Sequence, residues 1–216
     1  MILKPVIKMK LSFTSLGLMA ALYYPVLTVS GQEALQVRSN TEGIRVTIDA
    51  GFRHWSSSYF LQLDESDPNG PGVGLSAGYG LTRHLEITGS MDYHNFAMKN
   101  DWDRYTLSSV GVGVRYTMGG TLQAFRPFAQ LAYKYHFLTI DPVYLDGYSY
   151  RYRLKGGLPE VSAGVYYFLK PFLAFHFSGG MSFGKFSSFL LDDSGISDRP
   201  DMQSFRLGVG LNYFIR

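Results

Sequence analysis

Eight stretches of this chain alternate strictly between apolar residues and polar or small ones, and no charged residue falls on the apolar side of any of them. The stretches cover residues 44–53, 73–80, 85–94, 109–116, 128–137, 160–167, 173–184 and 205–213. In the first, Ile44, Val46, Ile48, Ala50 and Phe52 alternate with Arg45, Thr47, Asp49, Gly51 and Arg53. A period of two means strands with two chemically different faces. An unbroken absence of charge from one face needs a physical cause, and lipid supplies one. A Lys or Arg facing the midplane of a bilayer costs about 2–4 kcal/mol. Each stretch is also about as long as a tilted strand must be to cross, roughly 9–11 residues.

Strands can cross hydrocarbon only as a closed cylinder, because an open edge leaves backbone groups unpaired. A water-soluble barrel, which would bury the apolar face, is the competing arrangement. Here the polar face is rich in Gly and Ser, which suits a narrow lumen crossed by long Arg, Lys and Tyr side chains. Composition agrees. Charged residues make up 17 % of the chain, against about 25 % in ordinary soluble domains. Mean hydropathy is only −0.02, and beyond the N-terminal segment no run approaches the roughly 20 apolar residues of a membrane helix. The expectation is an all-β protein: an eight-stranded antiparallel up-and-down transmembrane β-barrel over residues 43–216, preceded by a signal peptide.

Lys4, Lys8 and Lys10 precede a mostly apolar stretch from Leu11 to Val29, which ends in Ser30-Gly31. This is the layout of a secretory signal peptide. It is assigned to residues 1–31, and residues 32–42 to a short periplasmic segment. The chain has no Cys, which excludes disulfides, thiolate metal sites and a lipid-anchored cysteine. A net charge of +3 gives no nucleic-acid signal.

Connections fall into two classes. Leu81–His84, Thr117–Phe125 and Leu169–Phe172 are short, whereas Ser56–Pro71, Asn95–Arg104, Leu138–Gly157 and Phe186–Gln203 are longer and more polar. That asymmetry is expected of short periplasmic turns and long outside loops, with both termini periplasmic. Tyr148 to Tyr152 also alternates, and the phase changes at Gly156-Gly157. This is read as a strand extension with a bulge at the glycines; ten strands are the alternative. Two aromatic girdles are expected. One contains Trp55, Tyr93, Phe96, Trp102, Tyr105, Tyr135, Phe137 and Phe205. The other contains Tyr79, Tyr116, Phe125, Tyr167, Phe172, Tyr213 and Phe214.

The last strand reads Arg206-Leu207-Gly208-Val209-Gly210-Leu211-Asn212-Tyr213. It resembles the C-terminal signal that the barrel-assembly machinery recognises in outer-membrane substrates, with Arg206, Gly208, Leu211 and Tyr213 at the matching positions. The chain then continues through Phe214-Ile215-Arg216 instead of ending on the aromatic. Arg126-Pro127-Phe128, opening a strand after a turn, is similar to small barrels of the OmpA/OmpX/OmpW type, the "outer membrane protein beta-barrel domain" group. The resemblance covers residues 43–216. It implies an integral bacterial outer-membrane protein, with membrane lipid and lipopolysaccharide around it and the assembly machinery as a biogenesis partner. Its surface ligand or protein partner is left open.

The inward set contains Arg45, Asp49, Arg53, Glu86, Asp92, Arg115, Lys134, Glu160 and Arg206. Charges confined in a lumen should pair, so a salt-bridged filling is expected and a conducting pore is the alternative. His176-Phe177-Ser178 resembles the His–x–Ser pair of lipid A deacylases. Gly179 follows where that family has Asn, no Glu lies downstream, and both residues fall on the inward face. His54 beside Ser56-Ser57-Ser58 is a weaker match to palmitoyl transferases. The acidic loop from Asp192 to Asp201, and Asp64, Glu65 and Asp67 in the first loop, offer oxygen ligands without the spacing of a calcium loop. Tyr144, Tyr148, Tyr150 and Tyr152 make the third loop a contact surface. No cofactor, metal site or catalytic set is expected. The function read from these residues is non-enzymatic: an envelope barrel with exposed loops, or alternatively a narrow channel for small or apolar solutes.

Overall fold

The computed structural model describes residues 41–60, 68–97, 104–145, 148–192 and 194–215. The signal-peptide assignment, Trp102, and the Asp64, Glu65 and Asp67 group lie outside the described residues.

Eight strands form the wall: β1 (Gly43–Ser56), β2 (Asn69–Gly80), β3 (Leu85–Ala97), β4 (Arg104–Thr117), β5 (Phe125–Leu145), β6 (Tyr148–Lys170), β7 (Leu173–Lys185) and β10 (Asp201–Ile215). Each pairs antiparallel with its neighbour, and β10 returns to β1, closing the cylinder. Two short strands, β8 (Ser188–Leu191) and β9 (Ser194–Ile196), form a hairpin in the last connection and add to the outer part of β6. They do not enter the wall. The barrel is therefore eight-stranded, and the ten-stranded alternative is set aside.

The phase of all eight alternating stretches is as the sequence implies. Ile48, Val112 and Phe125 are each more than 60 % exposed on the outside, while Arg45, Lys134 and Glu160 are buried inside. Such a surface would be costly in water and is stable in acyl chains.

The third connection is not a loop. β5 and β6 run on as a paired ladder well past the apolar band, as far as the Leu145–Tyr148 pair. The expected bulge at Gly156-Gly157 is absent: Gly157 faces Tyr135 and Gly156 faces His136 in regular register. The register shift lies between Ile140 and Val143 instead. What changes at the two glycines is polarity. Below them Glu160 points inward and Val161 outward; above them Leu154 is buried inside and Lys155 lies on the outer face. Outside the hydrocarbon the outer face is wet, so the apolar residues move to the interior. In sequence this looks like a one-residue slip, although the backbone has none.

The same inversion corrects the girdle assignment. Trp55, Phe96 and Tyr105 are fully buried inside the loop end of the barrel, and Phe214 is buried inside the turn end. Tyr93, Tyr135, Phe137 and Phe205 remain outside at one rim, and Tyr79, Tyr116, Phe125, Tyr167, Phe172 and Tyr213 at the other.

Candidate functional site: a sealed ionic lumen

The lumen is filled in three layers. At the loop end Trp55 meets Phe60, Tyr105 and Phe186 edge-on, with ring centroids 5.9, 5.6 and 6.5 Å away. Phe96 stacks on Tyr105 at 4.4 Å. Leu107, Leu138, Ile140, Leu154, Leu158 and Met202 complete a dry cap.

Below the cap lie the charges. All nine inward residues named from the sequence sit on the lumen side of their strands. Lys134 Nζ donates to Asp92 Oδ2 at 2.7 Å and lies 2.9 Å from Glu160 Oε1. Arg206 pairs with Asp49 and lies 3.2 Å from Asp92 Oδ1. Arg53 reaches Glu160 at 3.5 Å and donates to Ser204 Oγ at 3.1 Å. Ser109 and Ser182 donate to Asp92 and Glu160. These residues come from seven of the eight wall strands, so the network ties the wall together across its diameter.

Nearer the turn end Arg45 Nε donates to Glu86 Oε1 at 2.7 Å. Its Nη1 also donates to Thr47, and to Ser76 Oγ and Asn212 Oδ1 at 3.3 Å. This pair needs the glycine opposite. A Cβ on Gly78 would collide with the Glu86 carboxylate, so the small residue at this inward position is the space the salt bridge occupies.

Arg115 is held by neutral and aromatic groups. It donates to Gln130 Oε1 from Nε at 2.8 Å and from Nη2 at 2.6 Å, donates to Tyr166 Oη, and stacks over Phe128 at 4.4 Å. Phe128, Tyr166, Phe168, Ala174 and Phe214 form the floor. Arg126, fully buried, closes the turn end by donating to the Arg83 carbonyl at 2.7 Å and to Thr41 Oγ1 at 3.3 Å. Arg126 is absent from the inward set expected from the sequence, yet it is fully buried. The signal was present, since Arg126 is in phase with Phe128 and Gln130. His94, His136 and Asn212 are further buried lumen residues that charge alone did not single out.

Between these layers a cavity of about 40 Å³ remains, bordered by Asp49, Asp92, Arg115, Lys134 and Arg206. That is room for about three water molecules. His176 and Ser178 both face this lumen, and His176 Nδ1 lies 3.0 Å from Asn212 Nδ2. Neither faces lipid, as a lipid A deacylase would require. His54 contacts Asn69 at 3.2 Å on the outer surface, and Ser57 and Ser58 are engaged elsewhere. No group of three or more His, Asp or Glu suited to a metal occurs among the described residues.

Ser57 and Ser58 join the first loop to the start of β10. Asp201 accepts from the Ser58 N–H at 3.0 Å, the Ser58 hydroxyl at 2.8 Å and the Ser57 hydroxyl at 3.2 Å. Tyr59 donates to Asp198 at 2.9 Å beside it. Burial alone would raise the Asp201 pKa, but the Ser58 and Ser57 donors outweigh it and hold the carboxyl below its ordinary 3.8. A depressed carboxylate pKa stabilises the closed loops above the ordinary value and loses that contribution as pH falls through the depressed one. Proteolysis of the first loop is therefore expected to accelerate below pH ~4. In Asp201→Asn it should be fast at neutral pH and flat with acidification. A wild-type profile unchanged down to pH ~2 would contradict the clamp.

The residues of the assembly-signal motif lie on the closing strand. Arg206 and Gly208 face the lumen; Leu211 and Tyr213 are exposed on the outer wall. Comparison with solved structures places the whole cylinder. The crystal structure of Neisserial surface protein A superposes with a TM-score of 0.61 at 17 % identity, covering 81 % of this chain and 98 % of that one. OprG from Pseudomonas aeruginosa gives 0.57 at 13 % identity, covering 82 % and 99 %. Ail, the attachment invasion locus protein of Yersinia pestis, gives 0.50 at 15 % identity, covering 80 % and 99 %. No family model and no curated protein sequence matches the chain. At these identities the likeness is one of architecture, and it spans nearly the full length of each relative. The chain has the fold of the small outer-membrane β-barrel proteins, with eight antiparallel strands closed around a filled interior.

Proposed function

We propose that this protein is a non-enzymatic, non-conducting barrel of the bacterial outer membrane, with its loop end outward and both termini in the periplasm. Its role is to stabilise the envelope and present the β5–β6 hairpin and neighbouring loops to surface ligands. One observation carries this reading: the lumen is blocked three times over, by the Trp55 cap, the ionic layer and the Arg126 floor. A solute would have to break buried ion pairs on both sides of a space of about 40 Å³. The last-strand motif supports delivery by the barrel-assembly machinery. Single-channel recording in planar bilayers tests the reading. Wild-type protein should give no steps above background, and steady conductance would replace this function with the narrow-channel alternative.

A further inference from the structure

A second site lies on the outer wall, at the loop-end rim of the apolar band. Ser108 on β4 stands directly between Tyr93 on β3 and Phe137 on β5. A serine between two large rings leaves a dent. With Met91, Val110, Leu75, Val73 and Ile48 below and beside it, the dent becomes an apolar groove of about 760 Å³.

Beside and above the groove the chemistry changes within one strand. Phe137, which walls the groove, is the cross-strand partner of Lys155, and Thr139 that of Arg153. Lys155, Arg153 and Arg151 occupy alternate positions of β6 and therefore share its outer face. Arg151 is held by Asp141, 2.6 Å away. Arg153 donates to the Asp192 carbonyl at 3.1 Å and shares the outer face of β6 with Lys155. Tyr135 and Phe137, ring centroids 4.9 Å apart, form an aromatic shelf just beneath. An apolar groove with cations at its mouth, at the height where aromatic rings mark the headgroup zone, is complementary to one kind of molecule.

We propose that this groove holds an outer-leaflet lipid that carries phosphate on an acylated headgroup. An acyl chain lies over Ser108 between Tyr93 and Phe137, and the phosphate sits against Lys155 and Arg153. The assignment rests on the reading that the loop end faces outward, where phosphorylated, multiply acylated glycolipid is the abundant anionic lipid. Charge complementarity selects the phosphate, and the groove's apolar lining excludes a free anion.

The test uses the full mature barrel in mixed micelles, with native mass spectrometry counting retained lipid. The probes are a hexa-acylated bisphosphorylated glucosamine disaccharide, its dephosphorylated form, and inorganic phosphate. Wild type should retain the phosphorylated lipid at least tenfold better than the dephosphorylated one, and inorganic phosphate should not displace it. Lys155→Glu should lose that preference. Ser108→Phe, which fills the dent, should weaken retention of both lipids. Heat-modifiable migration confirms that each variant is folded. Equal retention of the two lipids by wild type, or unchanged retention in both folded variants, overturns the site. Orientation is read separately, by thiol labelling of Tyr148→Cys in intact cells. A barrel found inverted with lipid preference intact would refute the outward reading while leaving the groove's chemistry standing.

Discussion

Lys134→Met is expected to destabilise the barrel by about 3–5 kcal/mol, the cost of leaving buried charge without its partner. Lys134 is buried and bonded to two carboxylates at once, Asp92 and Glu160. Methionine fits the same volume but returns nothing to either oxygen. Asp92 keeps Arg206 at 3.2 Å, whereas Glu160 is left with Arg53 at 3.5 Å and the Ser182 hydroxyl. Urea unfolding in phospholipid vesicles, followed by tryptophan fluorescence, measures the difference. If the loss is under about 1 kcal/mol, the layer is held by something other than its ion pairs. Glu86→Ala removes a simpler pair and should cost less, because Arg45 retains Thr47, Ser76 and Asn212 as acceptors.

Trp55→Ala is expected to cost a similar amount, about 3–5 kcal/mol, by a different mechanism. It removes the largest side chain in the loop-end cap and leaves Phe60, Tyr105 and Phe186 facing a void. The ionic layer lies directly beneath, so water gains a path to it. Backbone amides near Ser204 and Lys134 should then exchange faster with deuterium, while those near Phe128 and Phe214 at the floor stay protected. Conductance should remain absent, since the charged layer and the floor are untouched. Uniform deprotection throughout the barrel would show that the cap is not a separate barrier.

The two variants also separate what was legible in the sequence from what was not. The lipid-facing phase of every strand could be read directly, because a bilayer penalises charge on one face and the alternation records that penalty. Glu86 and Arg115 could be placed in the lumen for the same reason. Their partners could not: Glu86 and Arg115 face each other across β3 and β4, yet Glu86 bonds Arg45 and Arg115 turns to Gln130 and Tyr166. Arg45 reaches over Gly78 of β2 to Glu86, while Arg115 keeps its cross-strand neighbour Gln130 on β5, so with a candidate partner on either side the register alone does not say which pair forms. Trp55, Phe96 and Tyr105 were misplaced because an aromatic near a rim carries no mark of which side it faces. Above the band the rule relating polarity to direction reverses, so the strand extension at Tyr148–Tyr152 is legible but the change of phase at Gly156-Gly157 reads as a bulge, when the ladder there is regular and its shift lies between Ile140 and Val143.

That reversal at Gly156-Gly157 acts as a waterline. If the cylinder sank by one residue pair, roughly 6.6 Å of strand rise, Lys155 would enter acyl chains. If it rose by as much, Phe183 would stand in water. Both displacements are uphill, so the vertical position is fixed without any anchor outside the wall. A membrane whose hydrocarbon is thicker or thinner than the span between the two exposed aromatic rims must deform to meet it. The chain thus carries in its own side-chain order the thickness of the bilayer in which it is at rest.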